Sequence, residues 1–250
     1  ALDTHTLERE RGITIFASQA VFSTDKIEVT LLDTPGHVDF SSETERTLSV
    51  LDYAILVISG LDGVQSHTLT LWKLLKLYNV PTFVFVTKMD FARKSREEII
   101  ENLNSELDGE FVDFGDEEAV SENMALCSEN LMEKYLSGEE IDEKEIAEAI
   151  KLRKIFPCFF GSGLKLDGID KFIKALEEYT IQPEYPEVFG AKVFKISHDS
   201  QGVRLTHIKV TGGSVKVREM IGDEKISGIR IYSGAKFTTA DEVGSGEICA

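Results

Sequence analysis

Three short apolar-centred runs, "EVTLLD" (28–33), "YAILVIS" (53–59) and "PTFVFVT" (81–87), constrain the fold of this chain more than any other feature. They read as short buried strands. "KIFPCFF" (154–160) contains another. Between them lie "SSETERTLSVL" (41–51), "SHTLTLWKLLKLY" (66–78), "SREEIIENLNSEL" (95–107) and "DGIDKFIKALEEY" (167–179). Their apolar residues recur near three-four spacing, the helical period. Ser66 and Asp167 stand where N-caps are expected. Strand-helix alternation predicts a mostly parallel sheet with helices on both faces. Ligands of such sheets sit beyond the carboxyl ends of the strands, where Asp33, Thr87 and Gly161 are expected.

The pattern changes after residue 180. "TIQPEYPEVFG" (180–190) carries two prolines and places a boundary near 181–187, giving domains 1–183 and 184–250. "AKVFKIS", "RLTHIKV", "SVKVREMI", "ISGIRIY" and "GEICA" follow, separated by glycine-rich or polar turns. Short strands at this spacing predict a partial antiparallel β-barrel.

Composition excludes some functions. No run of about 18 apolar residues exists, so no membrane span is expected. Cys127, Cys158 and Cys249 show no ligand or disulfide spacing, which fits reduced thiols in a cytoplasmic protein. His5, His67, His198 and His207 form no metal-ligand spacing. The net charge of −17 argues against tight non-specific binding of nucleic acid by the whole segment. Residues 110–150 hold 14 acids against Lys134 and Lys144, and read as a solvated helical face. The chain opens on Ala rather than Met and stops at "GSGEICA", so a segment of a longer protein is expected.

Unusual residues gather at the strand ends. "LLDTPGHVDF" (31–40) puts Asp33 just before a Pro35-Gly36 break and His37 just after it. Thr87-Lys88-Met89-Asp90 and Gly161-Ser162-Gly163 follow two further strands, and Arg11-Gly12-Ile13-Thr14 precedes the first. Singly, each has an ordinary explanation. Asp33 can cap a turn, Lys88 and Asp90 can be loop charges, Ser162 can sit in a flexible turn, and Thr14 can be a surface hydroxyl. Their order and placement argue for a joint role.

Together these motifs resemble the GTP-binding domain of translational GTPases, the elongation factor G superfamily, across roughly residues 1–180. The likeness is weaker, but present, in the barrel. "RERGITI" looks like the end of the first switch and "DTPGHVDF" like the second-switch motif. "TKMD" is similar to the Asn-Lys-x-Asp guanine motif, and "GSG" occupies the Ser-Ala-x place. The fold implied is a P-loop GTPase-type sheet followed by the second, barrel domain. The resemblance implies GTP and Mg²⁺ as ligands. Thr14 would bind the metal through its hydroxyl, and Asp33 through a bound water. Pro35 and Gly36 would form the GTP-binding turn, with the Gly36 N–H at the γ-phosphate. His37 would orient the attacking water. Asp90 would accept from two guanine N–H groups, Lys88 would lie along the base, and an N–H at Ser162-Gly163 would reach the guanine oxygen.

The sequence departs from that pattern in three places. Thr87 replaces the usual Asn, and Gly163 the usual Ala. No G-x-x-x-x-G-K-[ST] phosphate loop occurs, and it is expected upstream, so the segment alone should bind GTP poorly and be inactive. The short span from Asp90 to Gly161, with "ENLMEKYLSGEEID", "FPCFFGSG" and "GIDKFIKAL", resembles tetracycline-resistance ribosomal protection proteins. That family implies a monomeric GTPase acting on the ribosome. An elongation factor G-like factor without a resistance role is the alternative. A regulatory module that has lost nucleotide chemistry is a third reading, prompted by Thr87 and the missing loop.

Overall fold

The computed structural model describes residues 14, 17–36, 41–199 and 201–250. In chain order its elements begin with β1 (Ser18–Ser23), β2 (Glu28–Asp33), α1 (Ser41–Leu48), β3 (Ala54–Ser59), α2 (Ser66–Leu77), β4 (Thr82–Thr87) and α3 (Arg96–Leu107). There follow β5 (Phe111–Asp113), α4 (Glu117–Ala125), α5 (Glu129–Ser137), α6 (Glu143–Lys151), β6 (Phe156–Phe160) and α7 (Ile169–Tyr179). The remaining strands are β7 (Gly190–His198), β8 (Arg204–Gly212), β9 (Ser214–Lys216), β10 (Met220–Ile221), β11 (Glu224–Lys225), β12 (Ile229–Ser233), β13 (Lys236–Ala240), β14 (Glu242–Gly244) and β15 (Ile248–Cys249). Backbone packing divides the chain into two compact units. One is Leu51–Gln182; the other joins the residues up to Val50 with Pro183–Ala250.

In the Leu51–Gln182 unit, four parallel strands run in the order β3-β4-β6-β5. β4 lies between two neighbours, which explains why Phe83 to Val86 are all apolar and buried. Its side chains alternate between faces. Phe83 and Phe85 join Val112 and Phe159 in a cluster with Met124, Leu131, Ile146, Ile150 and Phe172, so α4 to α7 supply that layer. On the opposite face the Trp72 ring of α2 meets Phe111 at 5.0 Å and Phe156 at 4.7 Å between centroids. Its indole N–H donates to the Leu107 carbonyl at the end of α3. Burying each such ring contributes about 1.5–3 kcal/mol.

The acidic run becomes α4, α5 and α6. All of its acids are exposed except Asp113 and Glu145, while Met124, Leu131, Ile146 and Ile150 are buried. The helices are therefore amphipathic, and the charge lies on the solvent side. Lys134 pairs with Glu145 at 2.7 Å, joining α5 to α6.

Two expected caps are corrected. α2 starts from Gln65, whose N–H donates to Thr68 Oγ1 at 3.2 Å, so Ser66 is already helical. α7 starts from Gly168 at φ 77°, not Asp167. A side chain there would collide with the backbone, since an added Cβ would lie 2.4 Å from the Phe160 oxygen. Asp167 instead closes the preceding loop.

In the other unit, β1 and β2 form an antiparallel hairpin with Ser18 opposite Asp33. Its Gln19 carbonyl accepts from Gly234 N–H at 2.6 Å. Buried Lys209 donates to the Val50 carbonyl at 3.0 Å, giving that acceptor a partner that apolar packing alone would not supply. The C-terminal strands are antiparallel around Val210, Val215, Ile229, Val243 and Cys249. "SVKVREMI" is not one strand: Arg218 takes φ 73° and splits it into β9 and β10. β13, with exposed residues along most of its length, carries no apolar pattern and was not legible.

Candidate functional site

β3, β4 and β6 run parallel and end on the same side of their sheet, and backbone bonds tie the following loops together. Gly60 N–H donates to the Thr87 carbonyl at 2.8 Å, Gly161 N–H to Val86 at 2.9 Å, and Met89 N–H to Gly161 at 3.1 Å. This closeness explains two glycines. A Cβ on Gly60 would lie 2.8 Å from Met89 Sδ, and one on Gly161 would lie 2.0 Å from the Asp167 oxygen. Lys88 adopts φ 59°, a left-handed conformation that a lysine rarely takes. The turn holds it there, with Phe91 N–H donating to the Lys88 carbonyl at 3.0 Å.

Side chains join the same loops. Thr87 Oγ1 accepts from Gly163 N–H at 3.3 Å. Ser162 is buried, and it exchanges two N–H···O bonds with Asp167, each 3.1 Å, that close the loop. The Asp90 side chain is only 14% exposed, and its Oδ2 lies 3.4 Å from Lys165 Nζ. Lys88 Nζ lies 3.8 Å from Asp62 Oδ2. Ser59 Oγ donates to that same oxygen at 2.7 Å. The result is a mostly covered carboxylate, a nearby ammonium and a set of backbone donors at the end of a parallel sheet.

Thr87, Lys88, Asp90, Ser162 and Gly163 are thus brought together. Gly163 has room for the alanine of the resembled motif: among the described residues an added Cβ would meet only Thr87 Oγ1, at 3.6 Å. Asp33, Pro35, Gly36 and Thr14 belong to the other compact unit. Asp33 is the last residue of β2, a hairpin strand rather than one of the four parallel strands. The buried Pro35 offers its carbonyl to Thr44 Oγ1 at 3.2 Å, anchoring the turn to α1. Among the described residues, an added Cβ on Gly36 would meet nothing within 4 Å. His37 and Arg11-Gly12-Ile13 lie outside the described residues.

Ser59, Gly60, Asp62 and Lys165 were not singled out from the sequence. The signal for the first three was "SGLDG", which begins at the last residue of a strand and forms a turn sequence with a hydroxyl and a carboxylate. Lys165 gave none, because its role depends on a loop shape. Among the described residues no three His, Cys, Asp or Glu side chains are grouped to hold a metal ion.

Comparison with known proteins decides the family. Residues 1–182 match the family model described as the elongation factor Tu GTP binding domain. The chain belongs to that family. It is 33% identical to the tetracycline resistance protein TetW of Butyrivibrio fibrisolvens, over 98% of this chain and 42% of the relative. It is 31% identical to TetP of Clostridium perfringens, over 98% of this chain and 43% of that protein. The chain therefore spans about two fifths of the curated relatives it matches. A crystal structure of a Thermus thermophilus protein superposes with a TM-score of 0.87 at 22% identity, over 99% of this chain and 46% of that one. That likeness shows the shared fold: a parallel, helix-covered sheet followed by antiparallel strands.

Proposed function

We propose that this chain is the guanine-nucleotide-binding part of a ribosome-associated GTPase that hydrolyses GTP to GDP, and that the whole protein protects ribosomes from tetracycline. The observation that carries the GTPase reading is the joining of the "TKMD" and "GSG" loops by Thr87 and Gly163 around the covered Asp90 carboxylate. A guanine base offers two adjacent N–H donors to such a carboxylate, and adenine does not. A site built on those bonds discriminates strongly, because the wrong base leaves buried polar atoms unpaired. The likeness to TetW and TetP supports the resistance role.

Residues 1–183 would act as the GTP-binding domain and 184–250 as the start of the second domain. Mg²⁺ fits the donors present. Thr14 and Asp33 supply hard oxygens, and this ion is usually held by one or two protein groups together with substrate phosphates. The metal would neutralise charge on the phosphates. Gly36 would bring its N–H to the γ-phosphate, and His37 would orient the attacking water. We place the protein in the cytoplasm as a monomer. Among the described residues no helix is long and apolar enough to cross a membrane.

The test is a translation reaction with purified ribosomes, run with and without tetracycline. The whole protein should restore synthesis in the presence of the drug, in a GTP-dependent way. His37→Ala should keep GTP binding and lose ribosome-stimulated hydrolysis, because its contribution belongs to the transition state. Translocation without drug rescue would instead favour an elongation factor G-like role and leave the GTPase assignment standing.

A further inference from the structure

The loop between β6 and α7 is closed at its base by the paired bonds of Ser162 and Asp167. Leu166 takes φ 58° inside it, and Leu164 and Leu166 are both exposed. Between the closing residues the loop has one charged side chain, Lys165. That side chain is 64% exposed, yet it reaches a carboxylate that is only 14% exposed. The geometry is therefore asymmetric: a solvated cation leans onto a largely covered anion. The anion is Asp90, the group that would recognise guanine. A base bound through two parallel N–H···O bonds needs both carboxylate oxygens, and Lys165 Nζ sits 3.4 Å from Oδ2.

We propose that Lys165 competes with guanine for Asp90, occupying Oδ2 in the free pocket and yielding it as the base enters. The inference rests on the guanine-pocket reading above. Swinging the lysine away breaks the ion pair before the base can dock. The pair therefore slows association and leaves dissociation unchanged. An ion pair with so exposed a partner alters equilibria by at most about fivefold.

Stopped-flow binding of a fluorescent GDP analogue to the whole protein tests this. Lys165→Met keeps the stem and removes the charge. It should raise the association rate about two- to fivefold and leave the dissociation rate unchanged. The gap from wild type should close near 1 M salt, where such a pair is screened. Lys165→Arg should restore slow association. A merely structural lysine would change dissociation or leave both rates alone. A Lys165→Met variant that associates at the wild-type rate or more slowly overturns the proposal while the guanine pocket stands. Wild-type protein that fails to bind the analogue overturns the guanine reading, and this inference with it.

Discussion

Thr87 Oγ1 accepts the Gly163 N–H across 3.3 Å, joining the loop after β4 to the loop after β6 although 76 residues separate them in sequence. A threonine hydroxyl thus supplies one acceptor at the position where the Asn-Lys-x-Asp motif that "TKMD" resembles would carry an asparagine amide. The amide offers an acceptor and two donors together.

Thr87→Ala should weaken guanine nucleotide binding by roughly two- to tenfold, the effect of losing one neutral hydrogen bond of about 0.5–1.5 kcal/mol. Thr87→Ser should retain most of the affinity. Thr87→Asn should equal or exceed wild type. Titration calorimetry with GDP on the whole protein measures all three. An alanine variant that binds as well as wild type would separate this contact from the base pocket.

Asp90→Asn should move preference from GTP towards xanthosine triphosphate. The substitution turns one acceptor into a donor, which suits the xanthine carbonyl that replaces the guanine amine. The mismatch with guanine costs about 1–3 kcal/mol for each unsatisfied group. Competition binding with the two nucleotides reads the ratio. Unchanged guanine preference would remove Asp90 from the pocket.

Phe83 is fully buried, with its ring centroid 5.9 Å from Tyr53 and 6.4 Å from Phe172. Phe83→Ala should destabilise the Leu51–Gln182 unit by about 3–5 kcal/mol through lost burial and a residual cavity. Trp72 is the single tryptophan and lies buried in the same unit, so its fluorescence in a urea titration reports that loss. A midpoint shift without a change of slope would show that stability changed, not the compactness of either state.

β4 and β6 were legible because burial on both faces leaves a nearly unbroken apolar run, as in "TFVFVT", whereas β3 is apolar although Ile55 and Val57 on one face are exposed. β5 was not legible, since three residues between Gly109 and Gly115 give no periodicity to read. The acidic segment gave away its solvent face, while the layer it builds shows only in the spacing of Met124, Leu131, Ile146 and Ile150. At the site, Thr87, Lys88, Asp90, Ser162 and Gly163 could be found because they form contiguous motifs. Asp62 and Lys165 could not. Each touches a motif residue through a loop whose course depends on a left-handed residue, Lys88 or Leu166, and no local pattern announces that conformation for a lysine or a leucine.

His207 makes the antiparallel unit sensitive to acid. Its ring lies between those of Phe194 and Tyr232, at 6.2 Å and 5.8 Å, and its Nε2 is 2.8 Å from Ser197 Oγ. Burial lowers its pKa to about 4; the nearby Lys195 charge acts in the same direction and Glu43 opposes it. In the unfolded chain a histidine titrates near 6.5. Between those values the unfolded state carries a proton that the folded state refuses, so stability rises with pH across the window. The contribution is fully present above about pH 6.5 and is lost as pH falls through about 4. The gap corresponds to about 3–4 kcal/mol as an upper bound, and partial exposure of the ring reduces it to about 1–2 kcal/mol. Carboxylates in general titrate at about 4, so acid acts on other groups as well. The difference between wild type and His207→Gln isolates the imidazole, since glutamine can still bond Ser197. Amide exchange in β8 and β12, followed from pH 7 to pH 4, should show wild type losing about 1–2 kcal/mol more protection than the variant. Parallel curves for the two proteins would mean that His207 is protonated within the fold without penalty.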